Sequence, residues 1–118
     1  MAKVMLIEDD PTMISLLRTL LEIEGFEVHH MDVFQNVPQA VGAVAPDVVL
    51  MDVNLKGANG LEILAALRAT PGMKQPKVIL SSGMDYRHEA MAKGANEFVL
   101  KPYMPDELIQ KIKDQVAG

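Results

Sequence analysis

The sequence predicts an α/β protein with one parallel five-stranded sheet covered by helices on both faces. Three observations lead there. Apolar runs of strand length alternate with stretches of helical periodicity along the whole 118-residue chain, which is the rhythm of βα units. Several of those runs are apolar without alternation, as strands buried on both faces are. The breaks between them fall on Gly, Pro, Asn and Asp, which suit caps and turns.

The elements follow in order. "KVMLI" (3–7) is a short buried strand. "DPTMISLLRTLLEIEG" is a helix: Asp10 suits the N-cap, Pro11 the first position and Gly25 the stop, with Met13, Leu16, Leu17, Leu20 and Ile23 at helical spacing. "FEVHH" (26–30) alternates, so it is expected at an edge. Phe34, Val37, Val41 and Val44 mark a second helix, closed by Pro46. "DVVLM" (47–51) is the most apolar strand. The loop "NLKGANG" follows, with Asn59 and Glu62 resembling a capping box. Leu61, Leu64, Ala65 and Leu67 carry a third helix to "TPG" (70–72). "KVILS" (77–81) is the fourth strand, "DYRHEAMAKG" a short, weakly amphipathic helix, and "EFVLK" (97–101) the fifth strand. Pro105 opens a last helix with Leu108, Ile109, Ile112 and Val116 on one face. Right-handed crossovers then favour a doubly wound, flavodoxin-like three-layer sandwich. Its expected strand order is 2-1-3-4-5.

Length and the lack of linkers or repeats fit a single domain over 1–118. Hydrophobic residues at 49% and charged residues at 23% are ordinary for a globular protein of the cytoplasm, the expected compartment. The absence of cysteine excludes disulfides and thiolate metal sites. A net charge of −5 with no basic stripe argues against nucleic acid as a direct partner. No apolar run approaches the roughly 20 residues of a membrane span, and "MAKVMLIEDD" does not read as a signal peptide.

The chemistry lies where the strands end. The first strand runs into Glu8, Asp9 and Asp10, the third ends at Asp52, the fourth at Ser81 and the fifth at Lys101. Open parallel sheets bind ligands outside these carboxyl ends, where strand order reverses. In the order 2-1-3-4-5 the first and third strands are neighbours about 4.8 Å apart. Two carboxylates roughly 5 Å apart repel by about 3 kcal/mol at an effective dielectric near 20. Such a cluster needs protons or a cation. Glu8, Asp9 and Asp52 with Lys101 sum to −3 + 1 = −2, the charge that a divalent ion cancels. Oxygen donors of this kind suit Mg²⁺. Mg²⁺ and Lys101 together would clamp a phosphoryl group, with Asp52 as the nucleophile that forms an acyl phosphate. Taken singly, an Asp at a strand end is a turn former, and Lys-Pro is a loop start. Asp10 is better explained as a cap than as a ligand. Only the conjunction at four strand ends points to a reactive site.

The segments "LIEDD" (6–10), "VVLMDVNLKGANG" (48–60), "VILSSG" (78–83) and "VLKPY" (99–103) resemble the response-regulator receiver domain of two-component signalling, the CheY-like group, over essentially the full length. The resemblance implies that a histidine kinase or histidine phosphotransfer protein donates phosphoryl to Asp52. It implies Asp9 and Asp52 as Mg²⁺ ligands, with the backbone carbonyl of Asn54, and Glu8 acting through metal-bound water. It also implies Ser81 as the switch hydroxyl, Lys101 as its phosphoryl-pairing partner, a cis Lys101–Pro102 bond, and Phe98 as the switch aromatic. Some details depart from the commonest pattern. Glu8 stands for the usual Asp, and Ser81 for a common Thr. Phe98 lacks a tyrosine hydroxyl, and Gly83 leaves no side chain over the site. The segment leading into the fourth helix is about two residues short.

The signal is expected to leave through the fourth helix, fifth strand and fifth helix, where Tyr86, Phe98 and Tyr103 are candidate contacts for a downstream protein partner or output domain. His29, His30 and His88 show no ligand spacing, and the methionines suit core filling. Two other readings compete. A dehalogenase-like phosphatase would need a general acid two residues past the nucleophile, and Asn54 cannot shuttle a proton. A receiver-shaped interaction module that never takes phosphate would usually lack an acid or the lysine, and all are present. A phosphoacceptor regulator, with only self-catalysed phosphotransfer and dephosphorylation, is therefore the expectation rather than a turnover enzyme.

Overall fold

The computed structural model describes all of residues 1–118. Five strands, β1 (Lys3–Ile7), β2 (Glu27–Met31), β3 (Val48–Asp52), β4 (Lys77–Ser82) and β5 (Glu97–Leu100), form one parallel sheet in the order β2-β1-β3-β4-β5. The expected order is the observed one. Between them run α1 (Pro11–Ile23), α2 (Val37–Val44), α3 (Gly60–Arg68) and α4 (Arg87–Ala92), and α5 (Pro105–Ala117) ends the chain.

Side-chain alternation along the strands divides the interior into two layers. Met5, Ile7, Val49, Met51, Val78, Leu80 and Phe98 pack with residues of α2, α3 and α4. Val4, Leu6, Val48, Leu50, Ile79 and Val99 pack with Leu17 and Leu21 of α1 and with Leu108, Ile109 and Ile112 of α5. All five residues of β3 are buried, whereas β2 is half-exposed at its edge. This explains why one reads as continuously apolar and the other as alternating.

The helix termini follow the local chemistry. The Asp10 carboxylate accepts hydrogen bonds from the amides of Thr12 and Met13 at 3.0 and 3.4 Å, and Pro11 opens α1. Asn59 likewise accepts from Leu61 and Glu62 at 2.8 and 3.3 Å. Glu62 returns no bond to Asn59, so only half of a capping box is present. Gly60 starts α3 hard against β3: a Cβ there would lie 2.4 Å from the Asp52 carbonyl oxygen. Only glycine fits this approach.

Three local expectations are corrected. The inner stripe of α1 is Met13, Leu17, Leu20 and Leu21, while Leu16 and Ile23 are 44% and 73% exposed. At about 100° per residue those two sit roughly a quarter turn from the stripe's centre. Phe34 packs on the core but precedes α2, because Asn36 takes a left-handed conformation (φ 59°) that interrupts helical propagation. The loop after β3 contains a small hairpin, in which Asn54–Leu55 pairs antiparallel with Ala58–Asn59 around Lys56 and Gly57. Gly57 has φ +70°, the conformation that this turn requires.

Candidate functional site

The residues just beyond the strands continue the alternation. Leu6, Leu50, Ile79 and Val99 face α1 and α5. Glu8, Asp52, Ser81 and Lys101, each two residues further on, therefore reach the same side of the sheet at its carboxyl edge. Asp52 lies directly opposite Ser81 in register.

Asp52 and Glu8 are each only 7% exposed, so their charges must be compensated. Lys101 does much of this. Its Nζ donates to Asp52 Oδ2 at 2.8 Å and stands 3.5 Å from Glu8 Oε2. Backbone amides do the rest. Asn54 N–H donates to Asp52 Oδ1 at 3.0 Å, and the Asp9 and Asp10 amides donate to Glu8 Oε1 at 3.0 and 3.3 Å. Burial pushes the Glu8 carboxyl above its usual range, and Asp52 adds to this; Lys101 and the two amides pull down without cancelling it. Burial alone would depress Lys101, but the hydrogen bond and charge of Asp52, and then Glu8, hold its ammonium above its ordinary value. Burial also raises Tyr103. The Lys101–Pro102 bond is cis.

Asp9 is half-buried on the far side of Glu8. Its Oδ2 accepts from the Lys56 amide at 2.7 Å. Glu8 and Asp52 turn to Lys101 and Asp9 turns to the hairpin, so no three acids converge on one point. The donors are nevertheless all oxygens, two of the three acids are buried, and the formal balance is −2. That set fits a hard divalent cation such as Mg²⁺.

The fourth strand supplies two hydroxyls, on opposite faces. Ser81 shares the side of Asp52, and its hydroxyl makes no hydrogen bond. Ser82, passed over in the sequence reading, lies with Leu80 and Phe98 towards α4. Its Oγ accepts from Asn54 Nδ2 at 2.9 Å and from the Met84 amide at 3.2 Å. Ser82 thus shares the face of Phe98 and Ser81 that of Asp52, and Met84 is the residue two past Ser82 as Gly83 is two past Ser81.

Phe98 is 1% exposed, with the Arg87 guanidinium 5.6 Å from its ring centroid. Tyr86 packs on the same layer. Tyr103 lies on the other: it packs with the α1–α5 layer and its hydroxyl donates to Met13 Sδ at 3.6 Å. The three aromatics therefore do not form one patch. The exposed apolar groups in this region are Met84, Met91, Leu100 and Met104.

Comparison with known proteins agrees with the fold. The family described as response regulator receiver domain matches residues 4–113. The DNA-binding response regulator MtrA of Mycolicibacterium smegmatis is 31% identical over 113 residues, covering 94% of this chain and 49% of the relative. The cell cycle transcriptional regulator CtrA of Caulobacter vibrioides is 32% identical over 112 residues, 93% of this chain and 48% of that protein. The chain thus spans about half the length of these relatives. A solved response regulator receiver domain (CheY-like) from Methylobacillus flagellatus superposes with a TM-score of 0.85 at 25% identity, covering 98% of both chains.

Proposed function

The chain belongs to the response regulator receiver domain family, and from that premise we propose that it is a signalling switch whose phosphoacceptor is Asp52. The observation that carries this reading is the contact of Lys101 Nζ with Asp52 Oδ2 at 2.8 Å in a cluster that also holds Glu8. A carboxylate buried beside a lysine at the mouth of a parallel sheet is a nucleophile with an electrophilic partner in place.

In the proposed reaction a carboxylate oxygen of Asp52 attacks the phosphorus of a phosphohistidine on a kinase or phosphotransfer protein. The new P–O bond makes an acyl phosphate, the P–N bond breaks, and the departing imidazole takes a proton from water. Asp9, Asp52 and the Asn54 carbonyl would hold Mg²⁺, with Glu8 acting through water, and the ion when bound would supply charge neutralisation for the phosphoryl group. Lys101 moves its ammonium from the carboxylate to a phosphoryl oxygen. We give Ser82 the role expected at Ser81: its hydroxyl leaves Asn54 for the phosphoryl group and frees space next to Phe98. The rearranged α4–β5–α5 region then meets a downstream partner or an output domain. The net charge of −5 disfavours direct nucleic-acid binding by this domain. The switch is placed in the cytoplasm, with its kinase.

The test is incubation with Mg²⁺ and acetyl phosphate, read by intact mass. The wild type is expected to gain one phosphoryl group and Asp52→Asn none. Labelling of both, or of neither, overturns the assignment.

A further inference from the structure

The hairpin after β3 touches three separate parts of the site. The Asn54 amide holds Asp52, the Asn54 side chain holds Ser82, and the Lys56 amide holds Asp9 at 2.7 Å. The last contact is the shortest of the three. It joins residues 47 positions apart in sequence, across the gap between β1 and β3.

The turn geometry makes this donor available. Leu55 pairs with Ala58, so Lys56 and Gly57 are the central residues of a tight turn. A Gly with positive φ in the second position is the type II pattern, in which proline is welcome at the first. Any residue but proline there carries a free N–H. Here that N–H points at Asp9, so the Lys56 side chain is not what secures the acid. The Lys56 ammonium makes no ion pair.

We propose that the Lys56 main-chain amide is the positioning group for the metal site: it fixes Asp9 through Oδ2 and so presents Oδ1 alone to the ion. The proposal rests on the reading of Asp9 as a Mg²⁺ ligand. Groups that hold a metal's ligands commonly contribute about 10- to 100-fold in affinity. One hydrogen bond to one of several ligands belongs at the lower end of that range.

The experiment is calorimetric Mg²⁺ titration of the wild type, Lys56→Pro and Lys56→Ala, with thermal unfolding of each metal-free protein. Lys56→Pro removes the N–H and suits the turn. It is expected to bind Mg²⁺ about tenfold more weakly while unfolding at or above the wild-type temperature. Lys56→Ala keeps the N–H and is expected to bind within about twofold of wild type. Wild-type affinity in Lys56→Pro, or an equal loss in Lys56→Ala, overturns the proposal and leaves the metal site standing. A wild type that binds no Mg²⁺ overturns both. Should Lys56→Pro fail to fold, amide hydrogen exchange decides: the Lys56 amide is expected to be protected in the wild type and unprotected in Asp9→Ala. Equal exchange in the two proteins refutes the contact.

Discussion

Asp52 and Lys101 form a partly buried ion pair, and in the proposed reaction a phosphoryl group must enter between them. The ammonium is 2.8 Å from the acceptor oxygen, so it can follow the added negative charge with a small side-chain rotation. The hydroxyl has further to travel in effect, because moving it releases Asn54 Nδ2 and the Met84 amide from Ser82 Oγ. Coupling to Phe98 should therefore be lost in Ser82→Ala and retained in Ser81→Ala. Spectra of ¹⁵N-labelled protein with Mg²⁺ and acetyl phosphate are expected to show perturbations across α4 and β5 in the wild type and Ser81→Ala. In Ser82→Ala they should stay near the acceptor, although Asp52 is still labelled. The reverse pattern would return the role to Ser81. That a hydroxyl ends the fourth strand is legible in "KVILSS". Which serine faces Phe98 is not, because a run that is apolar on both faces does not reveal its register, and a one-residue slip exchanges the faces.

Elements are held in place by contacts of a different kind, and the clearest lies at the other end of the sheet. Arg68, in the last turn of α3, donates through Nε and Nη2 to the Gly94 carbonyl at 3.0 and 2.8 Å. Nη1 reaches the Pro76 carbonyl at 2.8 Å and Gln75 Oε1 at 2.9 Å, and Nη2 reaches Asn96 Oδ1 at 3.0 Å. Asn96 Oδ1 in turn accepts from the Val78 amide at 2.8 Å. One guanidinium thus fastens α3, the approach to β4 and the α4–β5 turn. Arg68→Ala leaves the buried Pro76 carbonyl without its donor and gives the exposed Gly94 carbonyl to water, and it should cost about 1–3 kcal/mol in urea unfolding. Arg68→Lys should recover little of this, since an ammonium cannot reproduce the fork. Neither change should slow phosphoryl uptake at Asp52; a slowed uptake would place Arg68 in the switch. Nothing in the sequence announces this network, because backbone carbonyls as acceptors leave no pattern of residue types. The hairpin at 54–59 escaped for a related reason: strands of two residues carry no periodicity. The caps at Asp10 and Asn59 were legible because their chemistry is local.

At the scale of the whole molecule, the acid cluster ties stability to pH and, under the proposed function, to cation binding. Glu8 titrates above its ordinary range in the folded chain, chiefly through burial. A carboxyl raised in this way favours the folded state fully below its unfolded pKa near 4.5. That advantage is lost as pH rises through the folded value. Lys101 is also raised, so its contribution holds up to about 10.5 and fades only above that. Between these limits the metal-free protein bears the cost of burying Glu8 wherever that carboxyl is ionised. Glu8→Gln keeps an oxygen for the Asp9 and Asp10 amides, and it leaves Lys101 its contact with Asp52. Urea unfolding without Mg²⁺ should therefore find Glu8→Gln more stable than wild type at pH 7. The gap should close as pH falls towards 4.5. Added Mg²⁺ should reverse the order at neutral pH, because an ion bound only by the folded state stabilises the wild type by mass action, and the variant lacks one of the acids that attract it. A gap that is independent of pH would mean that Glu8 acts through packing rather than charge.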